Sequence, residues 1–311
     1  MIKKKDSRYL KFIEEGLELA KSIPKYFSKF SNKIYCNHQK MILLVLKQKL
    51  RTTYRDLIEI LKISDIPLYL GLKRIPHRTT LIKFAKKIKP RLLNLLLPYR
   101  KAKHVAVDAT GFELEKKSYY YRTAWNSNRR RKAKRYMKLS LSVDTDKCLI
   151  LGHKIRKKFR NDTFDFINTV KDLEVKKVFA DKGYDSKKNR KFVINKLKAI
   201  PIIPVRRHTN FYGYLKKSKK INGSDYHQRS KAETVFSMIK RKYGSVLLSK
   251  SDSTQKVELI TKLIAHNIDR IILFSMCYFL GFHQSLFSDN KPIIKIDIMP
   301  IIARLIHVNI L

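Results

Sequence analysis

His104-Val105-Ala106-Val107-Asp108 carries an apolar run into a carboxylate, and Val178-Phe179-Ala180-Asp181 does the same 73 residues later (181 − 108). Short apolar runs of this kind fit strands buried in a sheet. An acid at the end of such a strand is held rigidly, with its head at the sheet edge. Neighbouring strands would bring two of these heads together, where like charges repel and raise one pKa. A divalent cation such as Mg²⁺ or Mn²⁺ removes that penalty and prefers oxygen ligands. A third acid, Glu233, follows 52 residues after the second (233 − 181), inside a strongly basic segment. A lone strand-end Asp is more often a turn or cap residue. Three acids in these places could hold two ions ~4 Å apart, which activate a water or 3′-hydroxyl and stabilise the leaving oxygen of an in-line displacement at phosphorus.

Such acids stand out in a chain of net charge +45, with 70 Lys and Arg against 25 Asp and Glu. The excess fits an anionic polymer partner, because each neutralised phosphate releases counterions. Basic residues spread over the whole chain and mixed with aromatics favour nucleic acid over an anionic membrane surface. Cys36, Cys148 and Cys277 are far apart and form no CxxC. That argues against a disulfide framework or zinc site and fits a reducing interior. The N-terminus is not followed by the long apolar core of a secretory signal. The apolar run from about Ile271 to Phe282 is short of the ~20 residues needed to cross a bilayer. A cytoplasmic, nucleoid-associated protein with no membrane partner is expected. With 44% apolar residues over 311 positions, the chain should fold and is long enough for two domains.

Outward from the two strands, Pro98-Tyr99-Arg100-Lys101-Ala102-Lys103 marks a boundary. Before it, residues 1–97 are expected to form an all-helical N-terminal domain. Leu10, Ile13 and Leu17 give helical spacing that stops near Pro24. A second helix covers 41–50. A third runs to about Ile63, opened by Thr53 with Asp56 in a capping-box pattern. A fourth is capped at Thr79 or Thr80 and interrupted at Pro90. Short helices with tight turns fit a helix-turn-helix-like DNA-binding module, or a dimerisation domain. After the boundary, strands are expected over 105–108, 118–122, 137–143, 148–155, 175–181 and 200–204. Helices are expected over 163–173, from Asp185 or Ser186 to about Leu197, and over about 228–243. The result is an α/β class fold, a mixed sheet flanked by helices, over 104–275. The apolar tail 276–311 would pack on the core or on a partner.

At ~100° per residue, Tyr226, Arg229, Glu233 and Lys240 share one stripe of the 228–243 helix, provided helix reaches back to Tyr226; Ala232, Val235, Phe236 and Ile239 face the core. Arg229 and Lys240 could grip phosphates flanking the reacting one. The bland alternative is a solvated face with an i,i+4 ion pair from Arg229 to Glu233. Asp162, just before the 163–173 helix, fits a cap better than a fourth ligand. Arg206 and Arg207 follow the strand ending at Pro204 and could contact DNA or lie in a solvated turn. Arg129-Arg130-Arg131-Lys132 is a loop-like basic run suited to nonspecific phosphate contact.

Tyr226-x2-Arg229-x3-Glu233-x6-Lys240 matches, at all four positions and spacings, the Y-(2)-R-(3)-E-(6)-K signature of IS4/IS5-type DDE transposases. Val107-Asp108-Ala109-Thr110-Gly111 and Ala180-Asp181-Lys182-Gly183-Tyr184-Asp185 resemble that family's first and second Asp motifs. The resemblance covers roughly residues 100–275 well and the N-terminal helices loosely. It implies an RNase H-like catalytic domain with two divalent ions, Mg²⁺ or Mn²⁺, on Asp108, Asp181 and Glu233. It also implies that Tyr226, Arg229 and Lys240 contact the transposon end. The implied activity is cleavage of DNA at the ends of an insertion sequence and joining of the 3′-hydroxyls to target DNA. The implied partners are terminal inverted repeats and target DNA, with a homodimer or higher oligomer in the synaptic complex. The second interval resembles the IS5-like branch, with a short insertion. Some relatives stabilise a flipped base with a Trp between the second Asp and the Glu. Trp125, the only Trp here, lies outside that interval, and Phe211, Tyr212 or Tyr214 could stack a flipped base or serve the structure. Two other readings stay open. A domesticated, catalytically inactive DNA-binding protein would not need all three acids, and a stand-alone RNase H-like nuclease would not need the Arg229/Lys240 stripe.

Overall fold

The computed structural model describes residues 7–114, 136–157, 160–205 and 226–279. Helices α1 (Arg8–Ala20), α2 (Asn37–Leu50), α3 (Tyr54–Lys62), α4 (Ile66–Tyr69), α5 (Arg78–Lys87) and α6 (Pro90–Leu93) come first. They lead into β1 (His104–Leu114), β2 (Tyr136–Asp144) and β3 (Ile150–Arg156). Then follow α7 (Thr163–Val170), β4 (Lys177–Ala180), α8 (Lys187–Asn195), β5 (Ile200–Ile202), α9 (Ser230–Tyr243), β6 (Val246–Leu247) and α10 (Asp252–Phe279).

The strands lie in the order β3-β2-β1-β4-β5, antiparallel from β3 to β1 and parallel from β1 to β5. This mixed sheet flanked by helices is the RNase H-like architecture expected from the sequence. Side chains alternate across it. Val105, Val107, Val178 and Ala180 enter a core completed by Phe166 and Val170 of α7 and Val193 of α8. The opposite face is covered by α9, which packs on β1 and β2 with Ala232, Val235, Phe236 and Ile239 buried. On the first face, α7 comes so close to β3 that a Cβ on Gly152 would lie 2.1 Å from the Thr169 carbonyl oxygen.

The strand through Asp108 is longer than its apolar run suggests. It continues to Leu114, because alternation persists with Phe112 buried and because β2 stays in register to Glu113↔Tyr136. At α3 the Thr53 side chain caps as expected, accepting from the Asp56 N–H at 3.2 Å. The cap of α5 is His77 rather than Thr79 or Thr80: its side chain accepts from the Thr79 N–H, and the cap lies two residues before the first of those threonines.

The N-terminal helices do not stand apart from the sheet. In α2, Met41 to Gln48 are all buried, so this is a helix enclosed on every side. A Cβ on Gly16 of α1 would lie 2.9 Å from Ile42 Cδ1, so the glycine permits the close α1–α2 approach. Asp269 of α10 ion-pairs with Lys49 at the end of α2 and with Lys242 of α9, and accepts from the Tyr243 hydroxyl at 2.5 Å. Residues up to Ile272 form one compact unit, and those from Leu273 a second, of which the end of α10 is described. No described helix is long and apolar enough to cross a membrane.

Candidate active site

The sheet opens at β1. Along one side of that strand, β4 pairs with residues 104–107 and β6 with Glu113 and Leu114. Between these pairings, residues 108–112 have no strand partner on that side among the described residues. Asp108 is the first residue past the β4 pairing. The last matched pair is Val107↔Ala180, so Asp108 and Asp181 are the next positions across. Because Val107 and Ala180 both enter the α7–α8 core, Asp108 and Asp181 belong to the other face, the one that α9 covers. Asp108 Oδ1 accepts from the Ala109 N–H at 2.8 Å. Asp181 Oδ1 accepts from the Lys182 N–H at 2.7 Å and opens a one-turn 3₁₀ helix, Lys182–Tyr184.

The third acid arrives on α9. A 3₁₀ turn, His227–Arg229, precedes that helix and packs against both β1 and β4. The sequence reading has α-helix reaching back to Tyr226, and the 3₁₀ turn takes its place. Residues three apart eclipse in a 3₁₀ turn, so the Arg229 guanidinium still lies over the Tyr226 ring, 5.8 Å from its centroid. Arg229 Nη1 then reaches Glu233 Oε1 at 2.8 Å. Glu233 in the first turn of α9, with Lys240, Arg241 and Lys242 in the last, complements the helix dipole. Lys240 Nζ donates to Thr110 Oγ1 at 2.7 Å and stands 5.5 Å from the Phe112 ring centroid. Thr110 shares the Asp108 face of β1, so Lys240 holds the far end of the same cleft.

The charges of these residues act on one another. Burial pushes the Asp108 carboxyl up; the Ala109 N–H and Arg229 pull it down, and Glu233 and Asp162 push it up further. Burial works against the Arg229 charge, but Glu233, with Tyr226 and Asp108 behind it, holds the guanidinium above its ordinary pKa. Burial raises the Tyr226 hydroxyl, with Asp181 among the contributing charges. Burial lowers the Lys240 ammonium. Arg229 and Glu233 thus lie within electrostatic range of Asp108, and Tyr226 within range of Asp181, Arg229 and Glu233.

The donor chemistry bears on a divalent cation. Neither Asp108 nor Asp181 has an ion-pair partner among the described residues, although Lys and Arg outnumber acids 70 to 25 in the chain. Two register-neighbouring carboxylates without a direct ion pair in so basic a protein fit a hard, oxygen-liganded ion. Glu233 is turned to Arg229, and no group of three His, Cys, Asp or Glu side chains is gathered closely enough to hold an ion among the described residues. Asp108 and Asp181 have the oxygen donors expected of such ligands, and Glu233 would have to leave its ion pair to join them.

Residues 99–268 match the family described as transposase DDE domain, more than half of the chain. The chain belongs to that family. The matched segment of this transposase contains Asp108, Asp181, Tyr226, Arg229, Glu233 and Lys240. The transposase is also similar to a cryo-EM structure of a piggyBac transposase synaptic complex with hairpin DNA, at 12% identity and a TM-score of 0.46, over 89% of this chain and 74% of that one. No curated protein matches it.

Sequence reasoning undervalued Asp162. It occupies the cap position of α7, but its side chain caps nothing; it ion-pairs with Lys138 and lies within electrostatic range of Asp108. The Thr163 N–H is taken by Asn161 Oδ1 at 3.2 Å instead. A Lys on β2 facing an acid before α7 is a tertiary relationship with no sequence spacing to announce it. Arg206, Arg207, the basic run 129–132, Trp125, Phe211, Tyr212 and Tyr214 lie outside the described residues, as do the expected strand 118–122 and the tail from 280.

Proposed function

We propose that this DDE transposase cleaves DNA at the ends of an insertion sequence and joins the 3′-hydroxyls to target DNA, with Asp108, Asp181 and Glu233 as its catalytic acids. The observation that carries the reading is that Asp108 and Asp181 are the next positions after the last β1–β4 register pair, Val107↔Ala180, beside the 3₁₀ turn and helix that bring Arg229 and Glu233. Two Mg²⁺ or Mn²⁺ ions held by these acids would activate the attacking oxygen and stabilise the leaving one. Arg229, with Tyr226 stacked beside it, is placed to hold a phosphate next to the reacting one. Lys240, anchored on Thr110, is placed to hold another farther along β1. The helical segment 1–97 would supply DNA contact or dimerisation for a synaptic homodimer or higher oligomer, and 104–275 the chemistry. The second interval fits the IS5-like branch.

A strand-transfer assay with a donor duplex carrying the element's terminal inverted repeat and a free 3′-hydroxyl tests this directly. Joined product in Mg²⁺ or Mn²⁺, lost on chelation, is expected. Hydrolysis without joining would make the chain a nuclease, and binding without either would make it a DNA-binding relative of transposases.

A further inference from the structure

We propose that the cavity at the β3 edge, walled by Arg91, Arg100, Lys154, Lys171 and Lys256, is a second nucleic-acid contact that holds backbone phosphate of duplex DNA outside the Asp108–Asp181 cleft. β2 separates β3 from β1, so this cavity belongs to a different part of the sheet. Its volume is about 460 Å³. That is ample for a phosphate group with bridging waters, each of which occupies ~30 Å³.

The five cations come from five places in the chain: α6, the segment before β1, β3, the residue after α7, and α10. One solvated helix face cannot produce that convergence. Basic residues nearby are neutralised: Lys101 pairs with Glu174 at 2.8 Å, Arg156 with Asp165, and Lys157 with Asp252. The five cavity cations have no ion-pair partner among the described residues, and Asp172 is the one acid in the lining. Arg100 is also fixed in place. Its Nη1 donates to the carbonyls of Leu97, Tyr99 and Leu151 at 2.5, 2.8 and 2.8 Å. A guanidinium so oriented presents its remaining N–H groups as a prepared fork for phosphate oxygens. His153 lines the same cavity, and burial together with Arg100 and Lys154 lowers its imidazole to about 4. With five cations and one acid in the lining, the cavity carries an excess of positive charge, which an anion relieves. The choice of DNA as the source of the phosphate rests on the transposase reading; the anion preference of the cavity does not.

The test uses the full chain and the double variant Arg91→Ala/Lys256→Ala, with Lys188→Ala/Lys191→Ala on α8 as a control that removes the same formal charge. Duplex DNA binding is measured across a salt series, beside single-turnover cleavage at saturating enzyme. The cavity variant should bind about tenfold more weakly, with a log–log salt slope shallower by about two, since each phosphate neutralised contributes about −0.9. Its saturated cleavage should stay within about twofold of wild type. A loss no greater than the control's overturns the proposal. In a second arm, inorganic phosphate is titrated while the His153 ring is followed by NMR. If phosphate moves that resonance but the cavity variant keeps wild-type DNA affinity, the cavity takes small anions and the DNA assignment falls. A chain that shows the expected binding losses yet never cleaves supports the cavity and sinks the transposase reading instead.

Discussion

Arg229 Nη1 lies 2.8 Å from Glu233 Oε1, and both groups are within electrostatic range of Asp108 where β4 leaves β1. One of the three proposed acids is therefore ion-paired to the turn that precedes its own helix, whereas Asp108 and Asp181 have no direct ion pair among the described residues. The pair is solvent-facing, with Arg229 25% and Glu233 55% exposed. An exposed i,i+4 pair stabilises a helix by only about 0.3–0.5 kcal/mol. Opening it costs little against the gain from binding a divalent ion on one side and a phosphate on the other. The ion pair and the catalytic stripe are thus compatible readings of the same residues.

The acids give the first prediction. If the three acids are the proposed ligands, Asp108→Asn, Asp181→Asn and Glu233→Gln should each abolish Mg²⁺- or Mn²⁺-dependent cleavage and leave duplex binding nearly intact, because each would remove a ligand without removing a cation. A variant that keeps more than about a tenth of wild-type cleavage, an effect of ~1.4 kcal/mol, does not supply a ligand.

Arg229→Ala should lower single-turnover cleavage at saturating enzyme more than it weakens binding to plain duplex, since positioning and charge stabilisation act in the transition state. Arg229→Lys keeps the charge but loses the planar fork, so it should recover binding more fully than rate. Wild-type cleavage by Arg229→Ala at saturation would reduce the Tyr226–Arg229–Glu233 stripe to a solvated face.

The placement of these residues was legible because it is written in short, local patterns. An apolar run ending in Asp places a carboxylate on a strand, and the Tyr226–Lys240 spacing survives even though a 3₁₀ turn replaces the first helical turn. What the sequence could not show is set by tertiary contact. The extension of β1 past Asp108 depends on β2 staying in register, and the Asp162–Lys138 pair joins residues from two elements. The enclosure of α2 by its neighbours likewise has no local signature, because a helix buried all round lacks the amphipathic stripe by which surface helices are recognised.

Asp269 is a buried acid gripped by Lys49, Lys242 and Tyr243, with side-chain exposure of 5% for Asp269 and 7% for Lys49. Asp269→Ala leaves the Lys49 ammonium buried without an anion, which costs about 3–5 kcal/mol. Thermal melts should show a drop on the order of 10 °C, at ~2–4 °C per kcal/mol for a domain of this size. Replacing Lys49 by Met in the same variant should recover part of the loss. A drop of only a degree or two would mean that the cluster does not tie α2 to α9 and α10.

Gly152→Ala probes the other face. The new methyl would lie 2.1 Å from the Thr169 carbonyl oxygen and 2.8 Å from Ser142 Oγ, which itself donates to that carbonyl at 2.7 Å. Backbone on α7 must shift to admit it, at a cost of about 1–3 kcal/mol. Urea denaturation should show a lower midpoint with an unchanged slope. A wild-type midpoint would show that α7 can move off β3 freely.

Two histidines, His266 buried and His153 half-buried, should contribute to the loss of stability in acid. Burial lowers both His153 and His266 from 6.5 to about 4, and His266 Nε2 is 2.9 Å from the Cys148 carbonyl oxygen. In the unfolded chain each would take up a proton near pH 6.5, whereas the folded protein resists until about 4. The unfolded state therefore binds more protons across that window, so stability rises with pH there. The contribution is fully present above pH 6.5 and is lost progressively as pH falls toward 4. Buried acids whose pKa is raised, such as Asp144, work in the opposite sense over the carboxylate range, so the whole-protein curve alone does not isolate the effect. The comparison that does is wild type against His266→Gln, followed by urea midpoints from pH 7.5 to 4.5. Gln can keep a hydrogen bond to the Cys148 carbonyl but cannot titrate, so the variant should lose less stability between pH 6.5 and 4.5 than wild type. Parallel curves would mean that His266 takes up its proton in the folded state as readily as in water, and the picture of a neutral imidazole locked on the buried side of α10 would fail.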